Sequence, residues 1–554
     1  MLRILLLTAL ACIAVTAVAQ PQPVVLHNAR IYTADPNQPT AEALAFAGGQ
    51  VLAVGSGEEV LLAFEGAERI DAGGRTVVPG FIDAHAHLMN LGASLLQADL
   101  TGTVSKADVV ERLQRFALSL PDSAWVLGRG WDQNDWPEQE FPTAADLDAA
   151  FPDRPVWIDR IDGHAAWANT AALRAAGIDP NATAPPDPEG GAILRDEQGR
   201  PTGVFIDNAE ALVRGAVPAT TDVQRQVQLE RALEETARHG LTSVHEAGAD
   251  LATIALYRAA ADAGALPLRL YAMIGGPGPT LDYFCENGPL VDYAGRLTVR
   301  SVKLYMDGAL GSRGAALLEP YADDAANTGL LLIPPERFET VVERSMECGL
   351  QVNTHAIGDR ANRIVLDTYE QAIAETGGGP GRHRIEHAQV VVTPEDIERF
   401  APLNVIASMQ PTHATSDMPW AEDRVGPDRI RGAYAWRTFL DSGARLALGS
   451  DFPVEEVDPL LGFYAAVTRQ DAEGQPEGGW YPDQRLTRAE ALRGFTLDAA
   501  YAAFMEDEVG SLEPGKRADF VVLSRDIMTV PAPEILETEV VATFLDGAPI
   551  YGGL

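Results

Sequence analysis

One stretch of the chain carries a buried strand that ends in two histidines: Val77-Val78-Pro79-Gly80-Phe81-Ile82-Asp83-Ala84-His85-Ala86-His87. Its first half is apolar and rich in β-branched residues, which is typical of a buried strand. Side chains at positions i and i+2 of a strand leave the same face, so His85 and His87 should point the same way. Neutral imidazoles are good ligands for ions such as Zn²⁺, and the pair therefore suggests a metal site. Two hydrogen-bonded histidines near a turn are the alternative.

Seven further apolar runs alternate with helical patterns, which is typical of a parallel α/β sheet. The runs are Leu241 to Ala247, Leu268 to Ile274, Val299 to Met306, Leu350 to His355, Arg382 to His387, Asn404 to Gln410 and Arg445 to Asp451. With the first strand they make eight, which predicts a (β/α)₈ TIM barrel whose chemistry lies at the carboxyl ends of its strands.

The two ends of the chain predict a small β-sandwich. Val24 to Tyr32 and Ala43 to Val54 read as strands near one end, and Phe520 to Leu523 and Val540 to Ile550 near the other. Neither end has enough strands alone, so we expect the two to combine. The predicted parts are residues 20–76 and 506–554 for the sandwich and 77–505 for the barrel.

A large insertion, at about residues 100–222, separates the first two barrel strands. It is far longer than an ordinary strand connection, and it holds five of the eight tryptophans. We interpret it as a lid over the barrel mouth, although the aromatic core of an inserted subdomain explains most of these tryptophans equally well.

Composition excludes one class of partner. The formal net charge is −37, and no basic stripe is available to neutralise phosphates, which argues against nucleic acid. Met1 to Ala19 is typical of a secretory signal peptide, with Arg3, an apolar run and Ala17-Val18-Ala19 as a cleavage site. We therefore expect an exported, periplasmic or secreted protein with no transmembrane span in the mature chain. A lipid anchor at Cys12 is a less favoured alternative. Cys285 and Cys348 are too few for a disulfide framework.

Polar side chains gather at the predicted ends of the barrel strands. They are His85, His87, Lys303, His355, His387 and Asp451. Each has its own alternative: a core histidine, a helix N-cap at Asp451, or an ion pair of Lys303 with Glu386 or Asp307. Because these strand ends open at one rim, the six together predict a metal centre.

Lysine is scarce in this chain, which gives Lys303 more weight. The three lysines are Lys106, Lys303 and Lys516. Burial disfavours a charged amine and lowers its pKa from about 10.4, so that more of it is a neutral nucleophile. A neutral amine can capture CO₂ as a carbamate and bridge two cations, which Arg cannot do.

These motifs resemble the amidohydrolase superfamily, specifically the branch similar to N-substituted formamide deformylases (amidohydrolase 3 type). The resemblance spans nearly the whole mature chain. It rests on 79–87, Lys303-Leu304-Tyr305-Met306-Asp307-Gly308, His355-Ala356-Ile357-Gly358-Asp359-Arg360, Arg384-Ile385-Glu386-His387-Ala388-Gln389 and Gly449-Ser450-Asp451-Phe452-Pro453. It implies that His85, His87 and Asp451 hold one Zn²⁺, that His355 and His387 hold a second, and that carbamylated Lys303 bridges them.

The same resemblance implies hydrolysis of a non-peptide amide or formamide-type C–N bond in a small molecule by metal-activated hydroxide. Asp451 would be the catalytic residue, passing a proton to the departing amine. A mononuclear deaminase or cyclic-amide hydrolase, and a catalytically silent exported binding protein, remain open alternatives. A homodimer is compatible with the sequence.

Four further residues are candidate substrate contacts. Trp131 lies in a motif of the insertion that resembles the same branch, as does His164. His413 follows the seventh strand, and Arg313 lies in the loop after the fourth, where it could grip a carboxylate.

Overall fold

The computed structural model describes residues 21–554. The predicted signal peptide and Cys12 lie outside the described residues. Within residues 21–554, no helix combines the length and the apolar character needed to cross a membrane.

Eight parallel strands form the barrel, in a spatial order that follows the sequence, and a ninth strand of the same sheet, Leu290–Tyr293, pairs antiparallel with the fourth. The barrel strands are Phe81–Ala86, Leu241–Ala249, Arg269–Gly275, Leu297–Tyr305, Gln351–Ala356, Arg384–His387, Ile406–Met409 and Arg445–Leu448. The segment after the last strand returns to the first, because the Asp451 amide donates to the His85 carbonyl and the His87 amide to that of Phe452, both at 2.8 Å. The predicted (β/α)₈ barrel is confirmed, and each predicted strand has its counterpart.

The opening stretch differs from prediction in one respect. It forms two strands rather than one, Thr76–Pro79 and Phe81–Ala86, and they belong to different sheets. Gly80 separates them. A Cβ at this position would lie 2.1 Å from the Thr242 hydroxyl oxygen, so only glycine allows the chain to pass so close to the second barrel strand.

Helices alternate with the barrel strands, and their apolar faces share one hydrophobic core with them. From the helix that precedes the second strand onward, they are Asp222–Arg238, Leu251–Asp262, Pro279–Asn287, Pro335–Glu347, Asp359–Thr376, Pro394–Glu398, Phe400–Leu403, Pro411–Asp417, Ala421–Arg429, Trp436–Asp441, Pro459–Thr468, Arg488–Gly494 and Leu497–Ala502. The first of these begins with a capping box between Thr221 and Gln224, which satisfies backbone donors at its start.

Strands from both chain ends combine beside the barrel. One sheet, in spatial order, contains Gln50–Gly55, Ala43–Ala47, Val24–His27 and Glu68–Asp71; the other contains Ala548–Gly552, Val540–Leu545, Phe520–Leu523, Thr76–Pro79, Arg30–Tyr32 and Thr40–Ala41. Side chains from both sheets share one core, in which the rings of Phe520 and Phe544 stack with centroids 4.4 Å apart. The short helix Gly57–Ala63 packs on the first sheet.

The insertion forms its own six-stranded sheet. In spatial order its strands are Gly191–Arg195, Pro201–Asp207, Ala165–Ala168, Val156–Arg160, Val126–Trp131 and Ala98–Asp99. Its helices are Lys106–Ala117, Ala144–Asp148, Thr170–Ala175 and Ala211–Arg214, and Leu88–Ser94 leads into it from the barrel. Trp131, Trp136 and Trp167 are buried in a core on one side of this sheet. The alternative given above, an aromatic core, accounts for these three tryptophans.

Candidate metal centre

A cavity of about 430 Å³ lies at the carboxyl ends of the barrel strands. Barrel residues lining it include His87, Lys303, His355, His387, His413 and Asp451, and insertion residues lining it include Asp132, Arg160, Asp162 and His164. Both parts of the chain therefore build the same cavity.

Lys303 and three of the predicted ligands lie close together. The Nζ of Lys303 is 3.0 Å from Nε2 of His85. Oδ1 of Asp451 lies 3.5 Å from Nε2 of His85 and 3.3 Å from Nε2 of His87.

The two remaining histidines, His355 and His387, lie next to this group. The His387 ring lies 4.7 Å from both the His85 and the His355 ring, centroid to centroid. One feature differs from the predicted grouping: the three donor atoms that converge within 4.8 Å belong to His85, His387 and Asp451, which the resemblance divides between two ions.

Glu386 orients the His85 ring. Its carboxylate accepts a hydrogen bond from Nδ1 of His85 at 2.5 Å, and both side chains are fully buried. Arg384 pairs with the same carboxylate at 2.7 Å, so the buried negative charge is compensated. With Nδ1 engaged as the donor, Nε2 of His85 is free to act as a ligand, as in carboxylate–histidine–metal arrangements.

Two other histidines are held in similar ways. Nδ1 of His387 donates to the Gln410 side-chain oxygen at 2.8 Å. Nε2 of His355 lies 3.5 Å from the Gly308 carbonyl. Each ring therefore keeps one nitrogen for a ligand role.

The backbone is constrained at two of the candidate ligands. His387 and Asp451 have φ values of +73° and +66°, a left-handed conformation that is unfavourable for residues other than glycine. Such conformations persist only where the surrounding structure enforces them, and they concentrate at functional sites. Gly449 contributes, because a Cβ there would lie 2.5 Å from Oδ1 of Asp83.

Asp83 connects the first barrel strand to the segment after the eighth strand through hydrogen bonds. Its carboxylate accepts hydrogen bonds from the backbone amides of His85 and Ser450, at 3.0 and 3.1 Å, and from the Ser450 hydroxyl at 2.6 Å. Burial raises the pKa of Asp83 to about 7. This contact fixes Asp451 beside His85 and His87.

The electrostatics favour metal-ligand protonation states. Burial lowers the pKa of His85 to about 4 and lowers those of His355 and His387 well below the usual value, so these rings are neutral at pH 7. Burial lowers the pKa of Lys303 to about 8. Burial alone would raise the pKa of Asp451, but the adjacent His85 and His87 outweigh it and lower that pKa.

The donor set fits a divalent cation. Oδ1 of Asp451 is buried and has no hydrogen-bond partner among the described residues. Neutral imidazoles and an ionised carboxylate that converge on one point are the ligands that Zn²⁺ and related ions prefer. An orphaned buried carboxylate oxygen is costly, and a cation would satisfy it.

The four predicted substrate contacts divide into two pairs. His164 and His413 line the cavity. Burial would lower the pKa of His164, but its 2.6 Å hydrogen bond to Asp207 and the charge of that residue raise it to about 9.

Trp131 and Arg313 do not line the cavity. Trp131 is fully buried in the insertion core, where Nε1 donates to the Ile158 carbonyl at 3.0 Å. Arg313 pairs with Asp323 at 2.8 Å instead of facing a substrate.

Sequence reasoning missed the supporting residues. Glu386, Arg384, Gln410 and Asp83 lie inside or beside buried strands, and that was the available signal: an ionisable residue in an apolar strand needs a partner. The sequence does not show which residue that partner is, because partners such as His85 and Glu386 are 301 positions apart.

A barrel with such a donor cluster at the carboxyl ends of its strands is the architecture of a metal-dependent hydrolase, and comparison with known proteins agrees. The putative amidohydrolase YtcJ of Bacillus subtilis (strain 168) is 34% identical over 535 residues, covering 95% of this chain and 98% of that protein. The N-substituted formamide deformylase of Arthrobacter pascens is 31% identical over 553 residues, covering 96% and 99%. A solved structure, an uncharacterized metal-dependent hydrolase from Pyrococcus horikoshii OT3, matches with a TM-score of 0.74 and 31% identity over 92% of this chain and 99% of that chain.

The chain belongs to the Amidohydrolase family, whose model matches residues 68–551. The predicted resemblance is thereby confirmed, and the protein is a hydrolase acting on carbon–nitrogen bonds.

Proposed function

We propose that the protein hydrolyses a non-peptide amide or formamide-type C–N bond of a small molecule, outside the cytoplasm. The observation that carries this proposal is the position of Lys303, whose buried amine lies 3.0 Å from Nε2 of His85. The A. pascens relative is named as an N-substituted formamide deformylase, which supports the choice of bond.

Six residues would hold the metal: His85, His87, Lys303, His355, His387 and Asp451. We propose two Zn²⁺ ions with carbamylated Lys303 between them. When bound, such ions polarise a carbonyl group and lower the pKa of water.

Carbamylation of Lys303 balances as a simple addition. The neutral amine nitrogen forms a bond to the carbon of CO₂ while one C=O π bond breaks and one proton is released, giving a carbamate whose single negative charge is shared by two oxygens. Support comes from the environment, because Lys303 is fully buried and has no ion pair with a carboxylate among the described residues. An amine in such a place gains by becoming an anionic ligand of neighbouring cations.

Side chains of the protein would transfer the proton and contact the substrate. Asp451 would take up a proton during attack on the amide and deliver it to the nitrogen of the departing amine, which leaves poorly as an anion. His413 and His164 would contact the substrate from opposite parts of the chain, barrel and insertion. The insertion would limit access of bulk water.

A substrate panel with metal analysis tests the proposal. Purified protein is loaded with Zn²⁺ and assayed on N-formyl amines, N-acyl amino acids and cyclic amides. We expect amine release from at least one N-formyl amine and two metal ions per chain. Bound metal without turnover of any class would instead favour a catalytically silent binding protein.

A single-metal centre is the second candidate, since donor atoms of His85, His387 and Asp451 converge within 4.8 Å. It would suit the deaminase or cyclic-amide alternative. One metal ion per chain, with unmodified Lys303 by mass spectrometry, would select it.

Export is part of the proposal. The disulfide bond between Cys285 and Cys348, which sequence reasoning did not anticipate, supports it because such bonds persist in oxidising compartments. Cell fractionation of the full chain tests it: we expect the protein outside the cytoplasm, with a mass that lacks the first 19 residues predicted above as a signal peptide. Full-length protein in the cytoplasm would contradict it.

A further inference from the structure

One histidine of the insertion reaches the cavity at the barrel mouth. His164 directly precedes the strand Ala165–Ala168 and lines the cavity. Its ring lies beside that of His355, with the two ring centroids 5.0 Å apart. Because His355 is a candidate metal ligand, a substrate amide bound at the metal centre would lie within reach of the His164 ring.

A buried carboxylate holds one edge of this ring. Oδ1 of Asp207 accepts a hydrogen bond from Nδ1 of His164 at 2.6 Å, and the Asp207 side chain is almost fully buried. Asp207 ends the strand Pro201–Asp207, which pairs with the strand Ala165–Ala168. The backbone amide of Asp207 also donates to the His164 carbonyl at 3.1 Å. The two residues are therefore joined twice, once through their side chains and once through the backbone.

The position of Asp207 is maintained at an energetic cost. Its φ is +51°, in the region that favours glycine, and its buried Oδ2 has no hydrogen-bond partner among the described residues. The loop after the fourth barrel strand packs against this oxygen: a Cβ at Gly314 would lie 2.7 Å from Oδ2, and one at Gly308 would lie closer still. Backbone strain of this kind persists where the surrounding structure enforces it, and it concentrates at functional sites.

The other ring nitrogen of His164 is left for a different partner. Within residues 21–554 the ring hydrogen-bonds only through Nδ1, to Asp207. Nε2 is not fully buried and the ring lines the cavity, so this nitrogen is accessible from the cavity. A carboxylate that engages one nitrogen of an imidazole fixes the ring orientation and the tautomer, so that the other nitrogen can act.

We propose that Asp207 is a positioning residue for the reaction: it holds the His164 ring so that Nε2 hydrogen-bonds the substrate amide at the metal centre. The inference rests on the proposed amide hydrolysis and gives the insertion a direct part in it. His164 lies beside His355, whereas Nε2 of His413 lies 3.6 Å from Oδ2 of Asp451. The two histidines therefore contact the substrate next to different members of the metal centre.

A double-mutant cycle on the zinc-loaded full chain tests the inference. We expect His164→Ala to lower kcat on an N-formyl amine by at least about 100-fold with a smaller change in KM, since a contact with the reacting group acts mainly in the transition state. Asp207→Asn keeps the size of the side chain and should lower kcat by about tenfold or more. In the His164→Ala background, Asp207→Asn should have little further effect, because a positioning residue acts only through the ring that it holds.

Binding of acetohydroxamate, an amide-like ligand of Zn²⁺, gives a second measurement that needs no turnover. Its Kd by calorimetry should rise about tenfold in each single variant, the loss of about one hydrogen bond, and no further in the double variant. The zinc content of all three variants should equal that of wild type. Glu235→Gln is the matched control: it alters a carboxylate that lies 3.1 Å from a ring nitrogen of His239 outside the cavity, and it should leave kcat and Kd unchanged.

The outcomes separate this inference from the proposed function. Turnover with additive effects of the two substitutions, or with wild-type kcat in His164→Ala, would overturn the positioning role and leave the proposed function standing. Coupled losses of hydroxamate affinity without turnover of any amide would support the positioning of His164 while the proposed function fails. Loss of zinc in Asp207→Asn would show that Asp207 supports the metal centre instead of His164, and would overturn the inference. Absence of both turnover and any change in hydroxamate affinity would overturn both proposals.

Discussion

The amine of Lys303 lies 3.0 Å from Nε2 of His85, although 218 positions separate the two residues in the sequence. The contact depends on the parallel register of the barrel, which brings the ends of the first and fourth strands to the same rim. Nε2 of His85 can accept a hydrogen bond from this amine, but burial disfavours the charged amine and lowers the pKa of Lys303 to about 8. A larger fraction of the amine is then neutral and available for modification.

Replacing Lys303 should therefore remove metal as well as activity. We expect Lys303→Ala to lose at least about 100-fold in kcat/KM, since removal of a direct ligand should cost no less than removal of its outer partner. Metal content measured by mass spectrometry should fall in parallel. Lys106→Ala, which alters a lysine of the insertion, serves as the control. Wild-type metal content in Lys303→Ala would show that this residue is not a ligand.

Glu386 should act through His85. Glu386→Gln keeps the size of the side chain but removes the charge that orients Nδ1–H of His85 and pairs with Arg384. We expect metal affinity to fall by about 10- to 100-fold. Competition with a chelator measures it, and Glu473→Gln provides the matched control. Equal affinities in the wild type and Glu386→Gln would refute the orienting role.

Glu246 should make stability depend on pH. Burial raises its pKa from 4.5 to about 8, even though it accepts a hydrogen bond from the Leu88 amide. The folded state then binds more protons than the unfolded state between these values, so the free energy of unfolding falls as pH rises from 4.5 to 8. The slope is at most about 1.4 kcal/mol per pH unit.

Glu246→Gln removes this titration while keeping an acceptor for Leu88. Urea unfolding at several pH values should show the stability of wild type declining relative to the variant across that window, and a constant difference above and below it. Parallel curves throughout would mean that Glu246 ionises in the folded state as it does in the unfolded chain.

The disulfide bond should contribute to stability. It joins Cys285 to Cys348 across 63 positions, and closing a loop of that order stabilises a fold by about 2–4 kcal/mol. The Cys285→Ser/Cys348→Ser variant should unfold at lower urea concentration than the oxidised wild type, and a reducing agent should affect only the wild type. Two free thiols in non-reduced peptides from these positions would contradict the bond.

Much of the barrel was predictable because its strands are short apolar runs that end in polar residues. The six candidate ligands were predictable for the same reason, since each lies at such an end. The separation of Thr76–Pro79 from the first barrel strand was not predictable, because it depends on the close approach of Gly80 to Thr242.

Two of the candidate substrate contacts, Trp131 and Arg313, do not line the cavity, because the sequence does not say which way a side chain faces. Trp131 lies one position from Asp132, yet only the aspartate lines the cavity. Arg313 was a candidate for contact with a substrate carboxylate, and it pairs with Asp323, ten positions away in the sequence. The disulfide likewise depends on tertiary packing, which brings Cys285 in the helix Pro279–Asn287 next to Cys348 at the end of the helix Pro335–Glu347.

Anomalous diffraction from crystals of the metal-loaded protein would test the central claim most directly. We predict two anomalous peaks at the barrel mouth, each within bonding distance of some of His85, His87, His355, His387 and Asp451, with continuous density from Lys303 to the metal positions. Metal density elsewhere, or a free Lys303 side chain pointing away from occupied metal positions, would contradict the account.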